Sequence, residues 1–344
     1  DRILKLEKTA NPPESSSMMV YDYYIEDGKW KSWKEKLEKS DTEVNKDLHF
    51  HDIVVPTLES LRMLQLLQIS INADIPFLMI GPTGTGKSLF IGNLLKSLSP
   101  EKYQVVFVTF SAQTSANQTQ DIIDGRLDKR RKGVFGPPFG KKCLVFVDDL
   151  NMPAYDKYGA QPPVELLRQY FDHGGWYDRK DRRMREIVDT NLLAAMGPPG
   201  GGKNIITPRF LRHFYIFATA ESDEKTYLRI FSVIIDWYVK KNDLNMEVSK
   251  NLKFAVEGAI DMYMQISENL KPTPAKSHYL FNLRDISRVV EGMLMISPKE
   301  VKDPKIVTRL WMHEVSRVFY DRLTTEADQH WFFNVLLQCL KNKL

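Results

Sequence analysis

Chemistry is concentrated at Gly81-Pro82-Thr83-Gly84-Thr85-Gly86-Lys87-Ser88, which satisfies G-x-x-x-x-G-K-[ST] in full. Each residue type there has a physical reason. Glycines let the backbone turn tightly and approach a polyphosphate with no Cβ in between. The loop's N–H groups then face the anion, and a helix beginning near Lys87 adds its positive end to the same spot. Lys87 is placed to reach the β- and γ-phosphates, and the Ser88 hydroxyl to ligate the Mg²⁺ they carry. A Gly/Thr-rich surface turn would match by chance, but here an apolar strand, Phe77-Leu78-Met79-Ile80, precedes the loop and an amphipathic helix over 88–97 follows it.

A second cluster of chemistry follows Cys143-Leu144-Val145-Phe146-Val147, an apolar run that ends in Asp148-Asp149. A fully apolar strand bounded by turns suits the interior of a parallel sheet. Aspartates at the carboxyl end of such a strand sit in the crevice where ligands bind. Asp148 is expected to hold the Mg²⁺ through water. Asp149 is expected to orient the attacking water as general base. One apolar strand with an Asp at its end is a weak signal. Downstream of a complete phosphate loop, with one strand between, it is a strong one.

The rest of the chain must position these groups. A length of 344 residues suits about two domains. Hydrophobic residues at 43% and charged ones at 27% describe ordinary globular material with enough apolar content for a core. The net charge of +4 is small, and no basic run is interleaved with aromatics, so no nucleic-acid partner is expected. No apolar run approaches the ~18 residues of a membrane span, and no membrane partner is expected. The two cysteines, Cys143 and Cys339, lie far apart in sequence, which argues against a disulfide framework and fits a reducing compartment. The chain opens on Asp1 rather than Met and reads as an excerpt of a longer protein.

Three segments are expected: an N-terminal extension over 1–49, an α/β nucleotide-binding part over 50–221, and an all-helical lid over 222–344. In the first, residues 11–17 read as a linker, 19–24 as a strand, and 28–39 as a helix with Trp30, Trp33 and Leu37 on one face. The second opens with Ile53-Val54-Val55-Pro56-Thr57 and a helix over 58–69 capped by Thr57. Strands are expected over 104–110, 143–147, 191–196 and 214–218, and helices over 111–127 and 162–172. Residues 129–142, basic and rich in Gly and Pro, read as a hairpin insertion in preference to a binding patch, and 176–188 as a second hairpin. Gly197-Pro198-Pro199-Gly200-Gly201-Gly202 invites a second phosphate-site reading, but it lacks G-K-[ST] and is read as an ordinary turn. From Ser222 only helical periodicity remains, over 223–241, 247–270, 283–296, 303–323 and 326–341. A helical lid after an α/β P-loop unit is the layout of an AAA+ module.

Several longer strings carry a resemblance. Phe110-Ser111-Ala112-Gln113-Thr114-Ser115-Ala116-Asn117-Gln118-Thr119-Gln120, Lys129-Arg130-Arg131-Lys132-Gly133-Val134-Phe135-Gly136-Pro137-Pro138 and Phe146-Val147-Asp148-Asp149-Leu150-Asn151-Met152-Pro153 resemble the third AAA+ module of an axonemal dynein heavy chain. So do Ala195-Met196-Gly197-Pro198-Pro199-Gly200-Gly201-Gly202 and Phe281-Asn282-Leu283-Arg284-Asp285-Ile286-Ser287-Arg288. The resemblance covers most of residues 20–320. It implies an ATP- or ADP-binding, Mg²⁺-dependent module in a ring of six, within a ciliary microtubule motor. Its expected partners are the neighbouring modules of the same ring, and other dynein subunits and microtubules through the whole motor. The expected location is the cytoplasm and cytoskeleton, in the axoneme of a cilium or flagellum. In that family the third module's nucleotide state gates the coupling between the first module and microtubule release.

The resemblance assigns roles residue by residue. Lys87, Ser88, Asp148 and Asp149 fall on the Walker positions, within a phosphate-binding run of Pro82, Thr83, Gly84, Thr85, Gly86, Lys87, Ser88 and Leu89. Val54, Val55, Pro56 and Thr57 fall on the adenine loop, and Arg284 on the sensor-2 arginine that serves the phosphates. Arg212 matches an arginine finger directed at the neighbouring second module, with Arg209 as the alternative. Two positions depart from the usual pattern. Asp149 stands where Glu is common, and the sensor-1 position, commonly Asn, falls on Gly197. Both leave binding intact and slow the chemistry. The expected function is therefore a slowly hydrolysing ATPase that regulates a motor cycle, with a nucleotide-holding switch of negligible turnover as the alternative.

Overall fold

The computed structural model describes residues 19–40, 44–300 and 303–343. The expected linker over 11–17 lies outside them. These form two compact units: residues 63–221, and the described residues before 63 together with those after 221. The boundary falls inside one helix, and residues 50–62, grouped on sequence with the α/β part, cluster with the helical unit, whose core Ile53 and Val55 join.

That helical unit begins with an antiparallel hairpin, β1 (Tyr23–Glu26) and β2 (Lys29–Ser32), followed by α1 (Trp33–Lys39). The helix expected over 28–39 is thus strand in its first third. Asp27 and Gly28, at φ 53° and 72°, form the tight turn, and Asp-Gly is a strong local signal for such a hairpin. The Ser32 hydroxyl caps α1 by accepting from the Lys34 N–H at 3.2 Å. Helix α2 (Leu58–Asn72) is opened by a reciprocal pair: the Thr57 N–H donates to Ser60 Oγ at 2.8 Å and the Ser60 N–H to Thr57 Oγ1 at 3.2 Å.

The α/β unit is built on β3 (Phe77–Ile80), α3 (Lys87–Ser97), β4 (Tyr103–Thr109), α4 (Ala116–Asp124), β5 (Asp128–Arg131), β6 (Val134–Gly136), β7 (Lys142–Asp148), α5 (Pro162–His173), β8 (Gly175–Tyr177), β9 (Met184–Ile187), β10 (Thr190–Met196), α6 (Pro208–Leu211) and β11 (Tyr215–Ala218). Its main sheet runs β11-β3-β10-β7-β4 and every pairing is parallel. Period-two alternation sorts β7 between two faces. Cys143, Val145 and Val147 join Val164 and Leu167 of α5 on one side. Leu144 and Phe146 join Leu67 and Ile71 of α2 and Ile91 and Leu95 of α3 on the other. Burial on both faces is why the sequence of β7 is apolar throughout. The edge strand β11 shows the opposite, with Tyr215 and Ile216 exposed.

Both expected insertions are hairpins, β5–β6 and β8–β9. They fuse into one four-stranded sheet through a parallel pairing of Val134 with Glu186 and Phe135 with Ile187. Trp176 Nε1 donates to Asp124 Oδ1 at 3.0 Å, tying this second sheet to α4. Both cysteines are free and buried, and burial pushes the Cys143 thiol up to about 12.

Past Ser222 the helical unit continues as α7 (Glu224–Lys241), α8 (Met246–Asn269), α9 (Leu283–Leu294), α10 (Pro304–Phe319) and α11 (Glu326–Lys343). The side chains of Asp223, Asn245, Asn282 and Asp303 cap the first four of these. Phe231, Ile235, Ala259, Val289, Trp311 and Phe332 fill one core with these helices. Among the described residues no helix is long and apolar enough to cross a membrane.

Candidate nucleotide site

Parallel pairing brings the carboxyl ends of β3, β10 and β7 to one side of the sheet. The Gly81 N–H donates to Met196 O at 3.2 Å, the Thr219 N–H to Ile80 O at 2.8 Å, and the Leu150 N–H to Ala195 O at 3.1 Å. The phosphate loop, residue 197 and the acidic pair therefore emerge from three adjacent strands.

In the loop, Gly84 and Gly86 have φ of 85° and 79°, the left-handed conformation glycine adopts without steric cost. Gly86 is the residue from which α3 starts. A Cβ at Gly81 would stand 1.8 Å from Thr219 Oγ1 and one at Gly86 would stand 2.7 Å from Phe90 Cε2. Both positions thus require glycine. Thr85 Oγ1 donates to Pro82 O at 3.0 Å, bracing the turn from inside. Lys87, only 8% exposed, donates to Gly81 O at 2.7 Å and Pro82 O at 2.5 Å, with Thr85 Oγ1 at 3.1 Å. Its ammonium is held within the loop's own curve, where the positive end of α3 also points. Ser88 is half-buried on the first turn of α3, Pro82 is half-buried, and Thr83 and Leu89 are exposed.

This arrangement fits a polyphosphate and its metal. A backbone without Cβ atoms, a buried lysine and a helix N-terminus supply cationic and N–H partners for phosphate oxygens. Ser88 and Asp148 supply hard oxygen ligands of the kind Mg²⁺ takes. Among the described residues no cluster of three His, Cys, Asp or Glu side chains offers a separate all-protein metal site.

Asp148 closes β7 opposite Thr109 of β4, and its Oδ1 accepts from the Asp149 N–H at 3.0 Å. Asp149 has φ 51°. Five of the six non-glycine residues with positive φ among those described are aspartates, so this conformation alone does not mark a reactive group. Its carboxylate faces Lys203, whose Nζ lies 3.8 Å from Oδ1. Asn151, fully buried, donates from Nδ2 to Gly197 O at 2.9 Å. No motif marks Lys203 or Asn151. Lys203 follows a glycine turn with no pattern of its own, and Asn151 sits inside the Asp148–Pro153 string without a separate signal.

Arg212 follows α6 in the α/β unit. Its Nη2 binds Asp172 Oδ1 at 2.8 Å, and the same carboxylate takes Arg168 and His213. The Arg212 guanidinium, first among these, holds the Asp172 carboxyl below its ordinary range. Arg209 is exposed on α6. Val54, Val55, Pro56, Thr57 and Arg284 belong to the helical unit. Val55 is buried in that unit's core, Pro56 O accepts from Arg229 Nε at 3.2 Å, and Arg284 is exposed on the first turn of α9.

Comparison with known proteins agrees with this construction. Residues 42–222 match the family model described as the P-loop containing dynein motor region, and residues 255–344 match the AAA+ lid domain. The chain is 48% identical to dynein axonemal heavy chain 12 of Mus musculus over 334 residues, covering 96% of this chain and 11% of that one. It is 46% identical to dynein axonemal heavy chain 3 of Mus musculus over 342 residues, 98% of this chain and 8% of the relative. Identity to dynein axonemal heavy chain 1 of Homo sapiens is 50% over 307 residues, 86% of this chain and 7% of the relative. The chain thus spans about a tenth of the length of the curated relatives it matches.

Proposed function

We propose a function from one premise: the chain belongs to the axonemal dynein heavy-chain family, as an AAA+ module of the motor region. The module binds ATP and ADP with Mg²⁺ and hydrolyses ATP slowly. The observation that carries this reading is the loop itself, where Gly84 and Gly86 in left-handed geometry open α3 and Lys87 is buried in the curve. Pro82 to Leu89 would hold the phosphates, and Ser88 and Asp148 the metal. When bound, the ion neutralises charge on the phosphate oxygens. Asp149 would orient the attacking water and accept its proton.

The finer assignments rest on the resemblance. We read the chain as the third module of a six-module ring, where its nucleotide state regulates the motor cycle. Its partners are then the neighbouring modules, other dynein subunits and microtubules, and its location the cytoskeleton of a ciliary or flagellar axoneme. Val54 to Thr57 would serve adenine and Arg284 the phosphates. Arg212, or Arg209 in its stead, would act on the neighbouring module's nucleotide. Slow turnover follows from a short Asp149 carboxylate, since misplacing a catalytic group by about 1 Å costs on the order of a hundredfold. A switch that holds nucleotide with negligible hydrolysis is the second reading, favoured by the bare Gly197 position.

Phosphate release by the full chain, with and without Asp149→Asn, tests the assignment. The expected result is slow release by the wild type and at least tenfold slower release by the variant, with ATP affinity retained. Equal rates would remove Asp149 from its role. Retained ATP with no release by either protein would establish the switch.

A further inference from the structure

Gly197 has no side chain to offer the site, yet the space beside it is filled. A Cβ built at 197 would stand 2.2 Å from Lys203 Nζ, 2.8 Å from Cδ and 3.0 Å from Cε. The end of the lysine therefore lies where a side chain of residue 197 would begin. Strand register says where that is. Met196 pairs with Ile80, the residue before the phosphate loop, and Ala194 pairs with Val147, next to the acidic pair. Position 197 thus emerges between the phosphate-binding residues and Asp148-Asp149.

The lysine is held there by construction. Gly200 and Lys203 exchange backbone hydrogen bonds of 3.0 and 3.1 Å, closing a tight turn whose middle residues, Gly201 and Gly202, have φ of 59° and 86°. Such a two-residue turn needs positive φ at both central positions, which accounts for the paired glycines. The next residue anchors it: the Asn204 N–H donates to Asn151 O at 2.9 Å, and Asn204 Nδ2 to Pro153 O at 2.7 Å. The glycine-rich stretch is therefore a hairpin turn that presents a lysine.

The ammonium is not consumed by its neighbour. The Lys203 side chain is 15% exposed, and Asp149, its ion-pair partner among the described residues, is at 3.8 Å, the outer limit of such a contact. Lys87 in the loop and Lys203 beside Gly197 are then two cations for phosphate oxygens, and Asp148 and Asp149 two carboxylates for the metal and the water. We propose that Lys203 is a further residue of the phosphate site: its ammonium takes the place of a side chain at 197, holds the Asp149 carboxylate, and binds the terminal phosphate of a nucleoside triphosphate. This rests on the proposed nucleotide function.

The test compares Mg-ADP with a Mg-ATP analogue that has a non-cleavable β–γ bridge, titrated calorimetrically into the full chain, so no turnover is needed. In the wild type Lys203 favours the triphosphate. Lys203→Met should cut the triphosphate-to-diphosphate affinity ratio about tenfold or more while Mg-ADP affinity changes less than twofold. Lys203→Arg should preserve most of the ratio. Gly197→Ala, which must push the ammonium aside, should reproduce the loss, and Gly197→Ala with Lys203→Met should be no worse than either alone. An unchanged ratio in Lys203→Met, or equal loss of both nucleotides there, overturns the proposal while leaving the nucleotide function standing. Failure of the wild type to bind Mg-ADP overturns that function, and the proposal with it.

Discussion

Gly86→Ala tests whether the phosphate loop owes its shape to left-handed glycine. At φ 79° an alanine carries a conformational penalty of about 1–2 kcal/mol. Its Cβ would also meet the Phe90 ring at 2.7 Å and 3.2 Å, one turn along α3. Overpacking of that kind costs about 1–3 kcal/mol. The two together come to roughly 2–5 kcal/mol, and at about 2–4 °C per kcal/mol the thermal midpoint should fall by roughly 4–20 °C. Gly202→Ala is the control. Its φ is 86°, but no atom lies within 4 Å of the added Cβ, so only the conformational penalty applies. Phe90→Leu in the Gly86→Ala background should recover much of the difference. Circular dichroism melts of the full chain, with and without Mg-ADP, supply the assay. At nucleotide concentrations of 100 Kd the wild type gains about 2.7 kcal/mol, and Gly86→Ala should gain a small fraction of that. A Gly86→Ala chain that melts no lower than Gly202→Ala, and is stabilised by nucleotide as the wild type is, would show that the loop does not depend on a left-handed glycine at 86.

Two further perturbations probe the frame. With its folded pKa held below the ordinary 3.8, chiefly by Arg212, the Asp172 carboxylate contributes stability that is full above the unfolded value and lost as pH falls through the folded one. Asp172→Asn should therefore unfold at lower urea than the wild type at pH 7, with the gap closing below pH ~4; a gap independent of pH refutes the charge origin. Gly292→Ala should destabilise the helical unit by about 1–3 kcal/mol, although alanine in a helix usually gains up to about 1 kcal/mol over glycine. The reason is that its Cβ would stand 2.1 Å from Glu314 Oε2, on a buried side chain held by Arg317, and a raised urea midpoint would contradict the packing of α9 on α10.

What the sequence disclosed follows from the range of the interactions involved. The phosphate loop was legible because its requirement is local: glycine at set positions, then lysine at a helix start. The β5–β6 hairpin was legible for the same reason, with Gly133 at φ 80° in its turn. The β1–β2 hairpin was not, although Asp27-Gly28 announces it, because Trp30, Trp33 and Leu37 imitate a helical face. In the structure Trp30 sits across from Ile25 on β2, while Trp33 starts α1. The parallel pairing of β6 with β9 joins residues some fifty positions apart, and nothing local encodes it. Lys203 was invisible for a related reason. Its place beside Gly197 and Asp149 exists only once the Gly201-Gly202 turn folds the chain back, and no motif spacing records that.

In the proposed function, the loop from Gly81 to Ser88 binds the phosphates of a nucleotide. Its most direct test is the affinity of Mg-ADP and Mg-ATP for the wild type and for Lys87→Ala, with Lys87→Met as a bulkier second variant. A charge-assisted contact of about 1.5–3 kcal/mol corresponds to roughly a 10- to 150-fold loss of affinity. Micromolar or tighter binding by the wild type and at least that loss in both variants are expected, with circular dichroism spectra unchanged. Unaltered Mg-ADP affinity in a folded Lys87→Ala chain would contradict it.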